Sequence, residues 1–141
     1  MSVLFYSSTK SAAVEDLQEY VCMLASDGQL EICRSCEELI QRFHKPGKNP
    51  GITVLCAADA EELSTIISLA DLFANTQLVL ILPDRHLVTV GKALSMGPRF
   101  ITYTDGRVDD TKAVLRKMFI RISQNSETLA NKVNRQEEQK K

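Results

Sequence analysis

Pro50-Gly-Ile-Thr-Val-Leu-Cys56 decides the fold. Its core, Ile52 to Leu55, is a short run with no solvated face, the mark of a strand covered on both sides. The run is entered from His44-Lys-Pro-Gly-Lys-Asn-Pro-Gly51, a loop by composition. It leaves into Asp59 and Glu62, whose three-residue spacing is that of a helix-opening capping box. A buried strand therefore passes straight into a helix, and the same passage recurs along the chain.

Upstream, Val3-Leu-Phe-Tyr6 is a continuous apolar strand, and Ser11 opens a helix striped by Val14, Leu17, Val21 and Leu24. After the Asp27-Gly28 turn, Leu30-Glu-Ile-Cys33 alternates apolar and polar. Ser35 and Glu38 form a second capping box, for a helix striped by Cys36, Leu39, Ile40 and Phe43. Downstream of Asp59, the third helix carries Leu63, Ile66, Ile67, Ala70 and Phe73 on one face. Leu78-Val-Leu-Ile-Leu82 is the most hydrophobic run. A fourth helix covers about Arg85 to Ser95 and stops at Gly97-Pro98, and Phe100-Ile-Thr-Tyr103 is the fifth strand. Asp109 or Asp110 caps a last helix that runs past Leu129.

Strict βα alternation predicts an α/β protein of three layers, a parallel sheet with five helices on its two faces. Strands one, three and four are apolar on both faces and belong inside. The second alternates and the fifth mixes Thr and Tyr into its run, so both belong at the edges. The five-stranded order is then 2-1-3-4-5, the flavodoxin-like arrangement, whose ligand crevice lies beyond the carboxyl ends of strands one and three. That crevice should be built from Ser7, Ser8, Cys56, Ala57 and neighbouring loops.

A chain of 141 residues is of single-domain length. At 44% hydrophobic and 25% charged it has the composition of a soluble globular protein. A net charge of −1 lacks the basic excess that phosphate backbones require, which argues against nucleic acid. No apolar run approaches the ~20 residues of a membrane span. The start MSVLFYSS reads as a strand without the charged region of a secretory leader. Four cysteines in that setting point to reduced thiols and a cytoplasmic location.

In length, in five-fold alternation and in the segment Pro50–Cys56, the chain resembles the receiver domains of bacterial two-component response regulators over about residues 2 to 123. The resemblance implies a domain over 1–123, with 124–141 as a helical extension and polar tail. It also implies where the family's chemistry would stand. The acidic pair that holds Mg²⁺ falls on Ser7 and Ser8, and the phosphoaccepting aspartate on Cys56. The switch Ser/Thr falls near Leu82 or Pro83, and the lysine near Tyr103 or Thr104. Serine hydroxyls are poor Mg²⁺ ligands and a thiol cannot form an acyl phosphate. The expectation is a degenerate receiver site that is not phosphorylated, with no metal, no cofactor and no catalysis.

Other candidate chemistry meets simpler explanations. Cys33-Arg-Ser-Cys36 is a CxxC between strand and helix, the local setting of a redox motif, but on a strand placed at the sheet edge. A single CxxC also falls short of a zinc site. Cys33 and Cys56 flank strand one, ~10 Å apart, beyond disulfide reach. Asp59, Asp84 and Asp105 follow strand ends, where capping and turns account for them. Ser7-Ser-Thr9 with Lys10 lacks the glycines of a phosphate loop. His86 reads as a solvated loop residue and His44 as a helix C-terminal residue.

Along the last helix, Leu115, Met118, Ile122 and Leu129 recur at spacings of 3, 4 and 7 and suit a partner contact, a homodimer among the choices. The leading function is a non-catalytic signalling module that binds a protein partner through the fourth helix, fifth strand and last helix. The alternatives are a thiol redox sensor using Cys33, Cys36 or Cys56, and a small-ligand binder in the crevice between strands one and three.

Overall fold

The computed structural model describes residues 2–9, 11–25, 29–45, 49–103 and 109–121. Five strands, β1 (Ser2–Ser7), β2 (Gln29–Cys33), β3 (Ile52–Cys56), β4 (Gln77–Leu82) and β5 (Phe100–Tyr103), form one parallel sheet in the order β2-β1-β3-β4-β5. Between them run α1 (Ala12–Leu24), α2 (Cys36–His44), α3 (Ala60–Ser68) and α4 (Leu87–Leu94), and α5 follows over 109–121. The expected order and the two edge strands are those observed. Asp109 and Asp110 do not precede α5 but already lie within it.

Side chains alternate across each strand, so the sheet separates two cores. Val3, Phe5, Val54 and Ile81 pack under α1 and α5, against Val14, Leu17, Leu115 and Met118. Leu4, Tyr6, Leu55 and Leu80 pack on the opposite face, against Leu39 of α2, Leu63 and Ile66 of α3, and Ala93 of α4. β3 is fully buried along its length, as its lack of a polar face requires. Its one hydroxyl, Thr53 Oγ1, meets Thr76 Oγ1 at 2.9 Å and is not left unsatisfied.

Helices α1, α2 and α3 begin where a side chain caps them. Ser11, Ser35 and Asp59 accept from the backbone N–H three residues on, at 3.2, 3.2 and 2.8 Å. In both capping boxes the returning glutamate takes the amide one residue before the cap: Glu38 that of Arg34, and Glu62 that of Ala58.

The third helix is shorter than its stripe suggests. α3 stops at Ser68, and Ala70–Phe73 forms a separate 3-10 turn closed by Leu72 N–H on the Leu69 carbonyl at 2.9 Å. Thr65 and Ser68 return their hydroxyls to backbone carbonyls of α3, which weakens its last turn. The tighter turn carries Phe73 edge-on against Phe43 of α2, with ring centroids 5.2 Å apart. The fourth helix likewise starts later than expected, at Leu87, because Asp84 takes the His86 N–H at 3.0 Å and holds Asp84 to His86 in a turn. Gly97, at φ +64°, provides the left-handed residue that ends the segment. No described helix is long and apolar enough to cross a membrane. The expected extension over 124–141 lies outside the described residues.

Candidate functional site

The carboxyl ends of β1 and β3 stand side by side, with Ser7 opposite Cys56 in register. Both belong to the buried interior beneath α1 and α5. Cys56 is only 2% exposed, and burial first, then the charge of Glu62, pushes its thiol up to about 11. Ser7 turns inward on its own loop: its hydroxyl donates to the Thr9 carbonyl at 3.0 Å and accepts from Thr9 N–H at 3.3 Å. Lys10 and Thr104 lie outside the described residues.

Ser8 is exposed and donates its hydroxyl to Glu62 of α3, whose other carboxylate oxygen accepts from Ala58 N–H at 3.1 Å. Glu62 thus ties the tip of β1 to the start of α3 across the mouth of the crevice. The sequence presents this residue only as a capping partner. Its second role follows from β1 and β3 being neighbours, which no local pattern encodes.

Below it lies the Tyr6 hydroxyl, 3.6 Å from Cys36 Sγ at the first position of α2. Burial above all, then the Cys36 contact and the Glu62 charge, hold the Tyr6 hydroxyl above its ordinary range. Cys36 is half-buried against the same core that encloses Cys33. Burial, then Glu38 and Glu31, raises the Cys33 thiol to about 11. The four cysteines are free, and the two most deeply placed are held as thiols rather than as nucleophilic thiolates. Ala57 is buried in the second core. Among the described residues, no three His, Cys, Asp or Glu side chains are grouped so that they could hold a metal ion.

At the next strand ends, Pro83 is half-buried, and Asp84 is held below its ordinary range by the His86 N–H and by Thr89. Arg85 reaches back over β5, its guanidinium carbon 4.0 Å from the centre of the Tyr103 ring. Thr111 of α5 donates to the Tyr103 carbonyl at 3.3 Å, so the end of β5 is held from both sides.

Beyond this cluster, α4 turns large apolar side chains outward: Leu87 is 90% exposed, Val88 69% and Leu94 60%. Leu87, Gly91 and Leu94 follow one another at helical spacing, with Val88 alongside, and Gly91 has nothing within 4 Å of where a Cβ would stand. The expected contact surface includes this helix, but a short helix apolar nearly all round does not show in its sequence which side faces water, and no residue of the ridge is singled out there. On α5 the expected seam divides. Leu115 and Met118 are fully buried against the sheet, and Ile122 and Leu129 lie outside the described residues.

Three parallel layers in this strand order, with an exposed fourth helix beside the fifth strand, are the receiver-domain architecture. Solved structures share it. A CheY-like response regulator receiver domain from Methanospirillum hungatei aligns with a TM-score of 0.62 at 11% identity, over 88% of this chain and 97% of that one. A CheY-like protein, tadZ, from Pseudomonas aeruginosa aligns with a TM-score of 0.58 at 19% identity, over 83% and 98%. A protein from Burkholderia pseudomallei described as pilus assembly-related aligns with a TM-score of 0.55 at 18% identity, over 85% and 90%. No family model and no curated protein matches the chain. The fold is receiver-like.

Proposed function

We propose that this chain is a receiver-like signalling module that works by protein–protein contact, without aspartate phosphorylation and without catalysis. The observation that carries the reading is Cys56. At the carboxyl end of β3, where the resemblance puts the phosphoacceptor, stands a 2% exposed thiol that belongs to the hydrophobic core. A thiol there cannot become an acyl phosphate. The neighbouring β1 end offers serine hydroxyls engaged with Thr9 and Glu62, not a pair of carboxylates for a hard cation. The degenerate site is therefore Ser7, Ser8, Cys56 and Ala57, with Pro83 and Tyr103 at the neighbouring strand ends; Thr104, which the resemblance also assigns to it, lies outside the described residues.

Output runs through α4, whose Leu87, Val88 and Leu94 form a solvent-facing apolar ridge of the kind that marks an interaction surface. The partner is a protein, with a second copy of this chain bound through α4 or the last helix as one form. Four free cysteines suit a reducing cytoplasm.

The test is intact-mass measurement after incubation with acetyl phosphate and Mg²⁺. The mass should not change. A labile phosphoryl adduct, mapped to any aspartate at the strand ends, would overturn the reading.

A further inference from the structure

On the face of the sheet opposite α4, helices α1 and α5 leave between them a groove of about 490 Å³. Tyr20 of α1 lines one side, and Asp109, Lys112, Ala113, Arg116, Lys117 and Ile120 of α5 line the other. The α5 residues recur at spacings of three and four, so the groove follows one continuous helical stripe.

Its two halves differ in charge. Toward the start of α5, Lys112 is already occupied: its ammonium donates to Asp16 at 2.8 Å and stands 5.5 Å from the centre of the Tyr20 ring. Toward the end of α5, Arg116 and Lys117 make no ion pair among the described residues, and both are exposed. Beside them Ile120 is 45% exposed. The groove thus presents Tyr20, Ala113 and Ile120, with Asp109 at its start and, toward its end, Arg116 and Lys117, which have no ion-pair partner among the described residues.

We propose that this groove is a docking site for an acidic amphipathic helix of a partner protein, one that lays an apolar side chain over Tyr20, Ala113 and Ile120 and sets carboxylates against Arg116 and Lys117. Charge complementarity chooses the occupant. A basic segment would meet repulsion at Arg116 and Lys117. An amphipathic helix is received by laying its apolar face into an apolar groove, and Tyr and Arg are among the residues enriched at such interfaces. This site is separate from the α4 ridge and lies across the sheet from it, so the module would hold two partners at once. Its failure leaves the phosphorylation-independent reading untouched.

The experiment is a backbone-amide NMR titration of the full chain. The probes are a helical peptide of repeating Leu-Glu-Glu-Leu pattern, the same peptide with Lys for Glu, and phosphatidylserine vesicles. The acidic peptide should shift the amides of Tyr20, Ala113, Arg116 and Ile120 and spare those of α4. The paired charge reversal Arg116→Glu, Lys117→Glu should weaken binding about tenfold, as the loss of two exposed ion pairs predicts, with the amide spectrum confirming the fold. Leu87→Ser should bind as the unaltered chain does. The proposal is overturned by equal binding of the Lys peptide, by shifts centred on α4, by charge-reversed protein that binds unchanged, or by no binding. Four further results would also overturn it: binding of vesicles in place of the peptide, concentration-dependent shifts of the groove amides in the protein alone, contact between the Leu129 or Val133 methyl groups and the Tyr20 ring, or impaired binding by Leu87→Ser.

Discussion

Cys56 and Cys33 show how one residue type takes its chemistry from its surroundings. Both thiols are pushed up from an ordinary 9.0 to about 11, because the folded chain cannot solvate a thiolate there. The unfolded chain can. Between pH 9 and 11 it therefore holds fewer protons than the folded one, and stability falls as pH rises. The loss should reach about 2–3 kcal/mol for Cys56 and less for Cys33 on the edge strand, where solvent screens the charge. Denaturant melts across that range should show it, and the double Cys33→Ala, Cys56→Ala variant should show a flatter pH profile despite lower stability at neutral pH. Glu62 makes the opposite case, a surface residue with structural weight. Glu62→Ala removes the acceptor of both Ser8 and the Ala58 amide and should cost about 1 kcal/mol in urea unfolding. A change within a few tenths would mean that these contacts do not hold the crevice mouth closed.

At the scale of the element, the sequence was most legible where one pattern had a single reading. Ser35 and Asp59 cap the helices that their spacing announces, and β5 has the bounds that its residues suggest. The stripe through Ala70 and Phe73 misled, because an α-helix and a 3-10 turn can continue the same face; hydroxyls returning to the α3 backbone decide between them. α4 was expected to join the contact surface, but its composition gives no sign of which side faces water, so Leu87, Val88 and Leu94 could not be singled out. The paired substitution Leu87→Ser, Leu94→Ser should therefore leave thermal stability within about 0.5 kcal/mol, as surface changes do, while abolishing partner capture or any concentration-dependent mass. Substantial unfolding would show that the ridge is packed in solution.

Across the whole molecule, strand order was legible because burial on two faces, one face or neither ranks strands from centre to edge. The candidate site was only half legible. Which residues end β1 and β3 can be read from the chain, but that Cys56 and Ser7 are enclosed while Glu62 and Ser8 close the mouth depends on which strands are neighbours. The same geometry makes the two cores separate in contact yet joined through the sheet. Leu55→Ala on one side and Leu115→Ala on the other should each cost about 2–5 kcal/mol. Their sum should hold within about 0.5 kcal/mol, with a single unfolding transition. Two transitions would mean that the layers melt independently.

Register also sets a timetable for folding. Val3 is hydrogen-bonded on one flank to the strand of Leu30 and on the other to that of Ile52. β1 thus lies between two strands that both follow it in the chain, and must wait for residues downstream before both flanks are covered. Sheets closed by such distant pairings form slowly. While Val3-Leu-Phe-Tyr6 waits on the ribosome, it is a naked adhesive segment, the stretch that a chaperone would be expected to grip until Cys56 emerges.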